Sequence, residues 1–382
     1  MLDTLPENLI FLTGVTGAVG TELLPRLLQR YPHATIVTLI RGKDQADVEA
    51  RLTSSMAFAE AGTDQRKRIV ALKGDVSQPS LGLDEPVLAL LARKTGQIFH
   101  LAANVRFNAG LEESRQANVE STRAILRFAR NCHLSHPGGV RLDYISTAYV
   151  AGNRRGPLLE RELNCGHTFW NSYEQSKMEA EELVRAAEPE VPITIYRPSQ
   201  IIGTAEAGKV RKLFGFLEFL KLTCTGKIRL LPASPETRTD MIPVDYVCDA
   251  IAYLSGEKDT VGHTYHLAAG LQRSTSLGEV VEIAYRILQE YAPSEQLPKR
   301  PEFIPVDVFE QYAVDGKVHK SFSGLLQLYQ TYMSYERDFE VDATMARLAR
   351  GGIVLAPMND VVHASALYVV RQHFGIPDPV PA

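Results

Sequence analysis

Three glycines, Gly14, Gly17 and Gly20, follow the apolar run Leu9-Ile10-Phe11-Leu12 and Thr13, and a segment of helical character comes directly after them. No other stretch limits the possible fold as much. The order is strand, tight turn, helix start. Glycine lets the turn adopt positive φ. It also lets a pyrophosphate approach free backbone amides at the start of a helix, where the dipole favours anions. The spacing is G-x-x-G-x-x-G, wider at the front than the commonest dinucleotide pattern. Taken alone it fits equally a turn packed against a close helix crossing.

The chain beyond the glycines repeats an alternation. The helix after the turn carries Leu23, Leu24, Leu27 and Leu28 as an apolar stripe, with Pro25 expected early in it, where a missing N–H costs least. The run Thr35 to Ile40 is apolar on both faces, as in a parallel strand covered by helices. Further strands are expected at Ile69–Val76, Gln97–Ala103, Arg141–Ser146, Pro192–Pro198 and His263–Ala268, with helical segments between them. Each crossover is long enough for a βαβ unit. The expected class is α/β: a Rossmann-type, doubly wound parallel sheet of about seven strands with a smaller, mainly helical C-terminal substrate-binding cap. Residues 1–203 would form the nucleotide-binding domain, completed by about 236–269. Residues 204–235 would be a substrate-binding insertion or lid, and 270–382 the cap, with a frayed proline-rich tail from Gly375.

Arg41 ends the second strand, 21 residues past Gly20, where an NAD-binding chain would place an acid for the ribose 2′-hydroxyl. A basic residue there suits the 2′-phosphate of NADP, with Lys43 as a helper; the alternative is an ordinary solvated arginine. Asp75 at the end of the third strand suits the adenine amino group or a turn cap. Ala102 and Ala103 are small enough for a cofactor to lie against the backbone. His100, inside the fourth strand, reads as a core histidine.

Tyr173 and Lys177 lie four apart on an expected helix and share a face. A phenol near its ordinary pKa is a poor acid at neutral pH; a neighbouring ammonium stabilises the phenolate. Ser146 or Thr147, at a strand end, would hold a substrate oxygen beside the phenol. The four cysteines are widely spaced and form neither a redox pair nor a zinc pattern, which favours a reducing, cytoplasmic setting and no metal. Cys165, in a loop, has no evident base beside it. A net charge of -4 gives no electrostatic case for nucleic acid. No run approaches the length of a transmembrane segment, and the first residues lack a signal-peptide pattern.

These segments together resemble an extended short-chain dehydrogenase/reductase. Within that superfamily the chain is most similar to the fatty-acyl-CoA reductase and carboxylic-acid-reductase (thioester reductase) branch. The carrying stretches are TGVTGAVG at 13–20, VTLIRG at 37–42, GDV at 74–76 and HLAANVRF at 100–107. They continue with ISTAYVAG at 145–152, NSYEQSK at 171–177, YRPS at 196–199 and IPVDYV at 242–247. The resemblance implies that Gly14, Thr16, Gly17, Ala18 and Val19 wrap the pyrophosphate of NADPH and that Arg41 binds its 2′-phosphate. It implies that Asp75 and Val76 frame the adenine and that Ala102 and Ala103 flank the ribose. Pro198, Ser199 and Ile201 would lie by the nicotinamide. Thr147, Tyr173 and Lys177 would be catalytic, with Lys177 also bonding the nicotinamide ribose. Asn104 departs from the small residue expected at its position.

The substrate implied is an acyl thioester, on CoA or a carrier protein, reduced to an aldehyde and on to an alcohol if a second hydride follows. The alternative is an extended-family dehydrogenase or epimerase acting on a nucleotide-sugar, sterol-like or other carbonyl or alcohol substrate. A non-catalytic cofactor-binding scaffold is a third, disfavoured by the intact Thr147, Tyr173 and Lys177 set. Residues 209–231 carry Leu213, Phe214, Leu217 and Leu220 with basic punctuation. They suit an acyl channel or lid, a core-packing helix, or a weak peripheral membrane contact. Lys209, Arg211 and Lys212 would meet a phosphopantetheine or CoA phosphate, or form a solvated basic turn.

Overall fold

A parallel sheet of seven strands forms the centre of the protein. The computed structural model describes residues 5–315, 332–333 and 335–377. The strands are β1 (Leu9–Thr13), β2 (Ile36–Ile40), β3 (Ile69–Lys73), β4 (Thr95–His100), β5 (Arg141–Ile145), β6 (Ile193–Pro198) and β7 (Thr264–Leu267). Their spatial order is β7-β6-β5-β4-β1-β2-β3, and every neighbouring pair is parallel. Chain direction across the sheet reverses between β1 and β4. The crevice beyond their C-terminal ends is therefore the topological switch point, where ligands of such sheets bind. β1 and β2 are buried along their whole length. Helices cover both faces, which explains why these strands read as unbroken apolar runs.

On one face α1 (Ala18–Arg30) packs beside a helix at Val244–Ser255. On the other lie α4 (Ser121–Ser135) and α5 (Ser172–Ala187), which fill a second core cluster with Phe11, Leu142 and Ile195. Pro25 lies in the interior of α1 and not in its first turn. The helix starts at Ala18, immediately after the glycine turn, so the proline falls eight residues in, where it removes one intrahelical N–H donor. Before α4 the chain makes a short helix at Leu111–Arg115 and then a wide π turn at Gln116–Glu120 that contains Asn118.

The cap region is built from a helix at Phe216–Cys224, one at Leu277–Tyr291 and one at Met358–Phe374, which share an apolar cluster. Leu217 and Leu220 are buried there, as are Phe216 and Phe219. The apolar face of 216–224 is thus covered by the cap's own helices, which favours the core-packing alternative for this segment over a membrane contact. Gln200–Ile202 and Met241–Pro243 form a short parallel ribbon beyond β6, outside the expected strands. Residues 338–339 pair with 157–158 and tie the cap to the loop that precedes α5. Of the proline-rich tail, 378–382 lie outside the described residues. No helix among the described residues is long and apolar enough to cross a membrane.

Candidate functional site

The glycines do different jobs. Gly14 has φ +79, and a Cβ there would sit 2.8 Å from the Ala102 amide nitrogen, so the β1 turn lies tight against the end of β4. A Cβ on Gly20 would come within 2.2 Å of the Gly14 carbonyl oxygen; this glycine permits the close approach of α1 to the turn. Gly17 is the N-cap of α1, carries no side-chain cap, and donates its own N–H to Gly14 at 3.0 Å. The amides of Ala18 and Val19 in the first helical turn have no intrahelical acceptors. With Thr16 beside it, this uncapped start leaves free amides at the switch point, a geometry of the kind that suits a phosphate. Thr13, at the end of β1, fixes the facing loop. Its hydroxyl accepts from Leu101 N at 3.2 Å and Ala102 N at 3.3 Å and donates to His100 Nδ1 at 2.8 Å. Burial, and then the Lys177 charge, hold His100 down to about 3, so it is a neutral core histidine.

Along the rest of the crevice, Arg41 is exposed at the β2 end, and its carbonyl accepts from the Arg51 guanidinium on the helix Gln45–Phe58. Arg51 is a second basic group at this corner that the sequence reading passed over; a helix turn folding back on the strand end is its only sequence signal. Lys43 contributes its backbone here, donating N–H to Asp47 and accepting from Lys73 Nζ. Arg211, from the insertion, reaches the same side, bonding Thr21 Oγ1 and Ser55 Oγ, while Lys209 pairs with Glu60. Burial and then the neighbouring Arg51 charge lower the Arg211 pKa. Asp75 is engaged as a turn cap, accepting from Ser77 N at 2.9 Å and Ser77 Oγ at 2.8 Å. Val76 packs against the β-sheet core. Ala102 lies beside Gly14, and Ala103 follows it, exposed. Ser199 donates to Asp240 at 2.6 Å, and Ile201 turns its side chain into the core with Ile242. Those two side chains are thereby committed to packing, and Pro198 presents backbone: its carbonyl accepts from Thr147 Oγ1 at 3.4 Å.

α5 carries Tyr173 and Lys177, the pair expected to be catalytic. Asn171 caps it, accepting from Glu174 N at 3.0 Å. Lys177, 4% exposed, donates to Ile145 O at 2.8 Å and to Tyr144 Oη at 3.0 Å, and its ammonium lies 4.5 Å from the Tyr144 ring centroid. Two of its three donors are thus held by β5. Its link to Tyr173 is through charge and not through a direct hydrogen bond. Burial pushes the Tyr173 phenol above its ordinary value; the Lys177 charge and a hydrogen bond with Thr147 pull it back. Burial lowers Lys177, and Tyr173 partly restores it. Tyr144 was not singled out in the sequence. It lies within β5, where a buried tyrosine looks like any core aromatic.

Ser146 and Thr147 separate. Ser146 donates to Glu181 Oε2 at 2.6 Å, deep under the sheet end, where Arg197 also pairs with Glu181 at 2.6 Å. Burial alone would raise Glu181, but Arg197, Arg185 and Ser146 bring it below the usual carboxylate range. Thr147 is left as the hydroxyl beside the phenol. Asn118, in the π turn, accepts from Asn104 N at 2.7 Å and donates to Asn104 O at 3.1 Å and Ser176 Oγ at 2.9 Å. Asn104, the residue that departs from the family pattern, is therefore pinned by its backbone to Asn118, which in turn bonds Ser176 on α5. Phe107, Tyr149 and Tyr332 form an aromatic wall, with Phe107 against Tyr173 at 5.8 Å and stacked on Tyr332 at 5.1 Å.

The cysteines stay outside the site. Cys132, Cys224 and Cys248 are buried, and burial pushes the first two up to about 12. Cys165 is exposed beside His167, but that ring bonds Val150 O through Nε2 and accepts from Cys165 N through Nδ1, which leaves no nitrogen to act as base. No group of metal ligands occurs among the described residues.

The strand order, the uncapped α1 start and the Tyr-Lys helix define an NAD(P)-dependent oxidoreductase of the extended short-chain dehydrogenase/reductase type. More narrowly, the chain belongs to the NAD-binding family described as "Male sterility protein", whose model matches residues 12–251. It is 30% identical over 280 residues to "Non-canonical nonribosomal peptide synthetase cpsA" of Aspergillus campestris, covering 69% of this chain and 26% of that protein. It is 28% identical over 334 residues to "Fatty acyl-CoA reductase 1" of Mus musculus, covering 76% of this chain and 63% of that protein. The solved terminal R domain from the myxalamid PKS-NRPS biosynthetic pathway superposes with a TM-score of 0.80 at 26% identity, covering 99% of this chain and 94% of that one. The chain spans about a quarter or less of the first curated relatives it matches.

Proposed function

We infer that this chain reduces an acyl thioester, carried on CoA or a carrier protein, to an aldehyde with NADPH. The observation that supports the reading most is that Thr147, Tyr173 and Lys177 gather at the end of β5, in a chain similar over nearly its whole length to the terminal R domain of a PKS-NRPS pathway. The turn between β1 and α1 fits a dinucleotide, because Gly14 has no room for a Cβ and the α1 amides lack a cap. Gly14, Thr16, Gly17, Ala18 and Val19 would hold the pyrophosphate. Arg41, with Arg51 beside it, would take the 2′-phosphate. Asp75, Val76, Ala102, Ala103 and Pro198 would border the remainder, with Ser199 and Ile201 supporting it from behind.

When bound there, the cofactor supplies a hydride to the carbonyl carbon. Thr147 and Tyr173 donate hydrogen bonds to the carbonyl oxygen and stabilise the negative charge that develops on it. Tyr173 then gives that oxygen a proton. Lys177, fixed by Ile145 O and Tyr144, stabilises the phenolate left behind. Collapse of the tetrahedral adduct returns the hydroxyl proton to the Tyr173 phenolate, expels the thiolate and leaves the aldehyde, so no enzyme cysteine takes part. A panel of acyl-CoA, carrier-bound and pantetheine thioesters, with nucleotide-sugars and ketones in parallel, tests the reading through NADPH oxidation. Turnover confined to nucleotide-sugars or alcohols would overturn it.

A further inference from the structure

Tyr144 is fully buried, and its ring belongs to the same apolar cluster as Phe11, Leu142 and Ile195. A phenylalanine would fill that space, and a buried hydroxyl is costly unless it is paired. The oxygen has two polar neighbours. Lys177 Nζ donates to it at 3.0 Å, and Thr122 Oγ1, on α4, lies 3.5 Å away. The one hydrogen of Thr122 is committed to Asn118 O at 2.7 Å, so in the pair of hydroxyls the phenol donates. That leaves the phenol's lone pairs to the ammonium. A directed chain results, from Lys177 through Tyr144 and Thr122 to the Asn118 carbonyl in the π turn. No charged partner shares the task. Glu181, one turn along α5, acts on Lys177 through space but is itself paired with Arg197 and Arg185. His100, opposite Tyr144 on β4 with ring centroids 5.9 Å apart, is neutral. Burial holds Tyr144 above its ordinary value, so it too stays neutral, as does Tyr173 before it gives up its proton. Lys177 is thus a buried cation held by dipoles: the Ile145 carbonyl, the Tyr144 hydroxyl and the face of the Tyr144 ring.

Resting on the reductase reading for the role of Lys177, we propose that Tyr144 is a positioning residue of this site: its hydroxyl, oriented by Thr122, keeps Lys177 in the ammonium form and so sets how far into alkaline pH turnover extends. An ammonium that loses one of its two hydrogen-bond acceptors in a buried site gives up its proton more readily. A neutral Lys177 no longer stabilises the Tyr173 phenolate, so turnover ends where the ammonium does.

The test follows Lys177 itself. The whole chain is prepared with isotope-labelled lysine, and the Lys177 Cε resonance, assigned by its loss in Lys177→Met, is titrated with alkali in the wild type and in Tyr144→Phe. NADPH oxidation is followed over the same pH range with one acyl-pantetheine thioester and one aldehyde. Tyr144→Phe should lower the Lys177 midpoint by about 1–2 pH units, the worth of one hydrogen bond to a charged group, and the alkaline limb of kcat should move down with it. Thr122→Val should shift both in the same direction by less. A role in packing alone would lower Tm and kcat and move neither. A Lys177 midpoint that stays or rises in Tyr144→Phe, or a lower midpoint with an unmoved limb, would each overturn the proposal. Should Tyr144→Phe fail to fold, Thr122→Val decides by the same signs. A wild type that reduces the aldehyde but no thioester would overturn the proposed function, and the shift read on the aldehyde would still decide for Tyr144. With no turnover on either substrate, the Lys177 midpoint decides alone.

Discussion

The adjacent hydroxyls Ser146 and Thr147 should behave as opposites. Ser146 donates at 2.6 Å to a buried Glu181, so Ser146→Ala removes a hydrogen bond to a charged group. That costs about 1.5–3 kcal/mol. Unfolding entropy of about 2.1 cal/mol/K per residue gives roughly 0.8 kcal/mol/K for a chain of this size, so Tm should fall by about 2–4 °C. Arg197 and Arg185 still hold Glu181, and kcat should stay within about threefold. Glu181 has a depressed pKa in the folded state, so its stabilising contribution is present above the unfolded value near 4.5 and is lost as pH falls below it. The Tm deficit of Ser146→Ala should therefore be largest near neutral pH and shrink in acid. Thr147→Val should do the reverse. Its two backbone contacts, at 3.3 and 3.4 Å, are long, and its other partner is the Tyr173 phenol, so Tm should shift by about 1 °C or less. Loss of a donor to the developing oxyanion should lower kcat about 10²- to 10³-fold. Thermal unfolding and steady-state NADPH oxidation on the same preparations decide the matter. A large kcat loss in Ser146→Ala without a Tm change, or full activity in Thr147→Val, would refute this division of labour.

Tyr173→Phe should cut turnover by at least about 10²-fold and leave the NADPH Kd, read by fluorescence titration, within about threefold; a matching loss of binding would mean the phenol serves the cofactor and not the proton. Arg41→Ala should raise the Kd for NADPH about 10-fold or more while NADH changes little, and equal effects would remove Arg41 from the 2′-phosphate. His100 and His266 are both held at about 3 by burial, with the charges of Lys177 and Arg197 adding to it. Each therefore binds its proton only on unfolding, and stability present above pH 6.5 should drain away as pH falls toward 3. Guanidinium unfolding at pH 7 and pH 5 checks this: the midpoint should fall at pH 5, and His266→Gln should shrink the difference; an unchanged difference would refute it.

The parts of the site legible in the sequence are those set by short-range periodicity. Tyr173 and Lys177 share a helix face because they are four apart, and Gly14 and Gly20 announce a tight turn because no side chain fits there. The strands of the sheet were legible as apolar runs. Pro25 was misjudged because the helix begins directly on the glycine turn. Residue chemistry left Ser146 and Thr147 open and only the resemblance chose Thr147, because consecutive residues at a strand end point to opposite faces, and the position of Glu181, 35 residues on, tells which face is which. Ser199 and Ile201 looked like cofactor contacts, yet Asp240 and the core claim their side chains. Tyr332 meets Glu174 across 158 residues of chain, and Arg337 acts on the same carboxylate. No local pattern marks such pairs, because tertiary docking alone creates them. The helix at 216–224 had an apolar face with several readings, and burial against the cap helices selected packing.

The most direct measurement follows the hydride and the thiol together. The chain is incubated with an acyl-pantetheine thioester and NADPH carrying deuterium on the transferable position. Product mass is read alongside free thiol and NADPH consumed. The expected product is an aldehyde with one deuterium on the former carbonyl carbon, with one thiol released for each NADPH oxidised to that stage. Thiol released with no deuterium in the acyl product would mean hydrolysis. NADPH oxidised with no thiol released would mean reduction of some other carbonyl. Either result would contradict the assignment of this site to reduction of an acyl thioester.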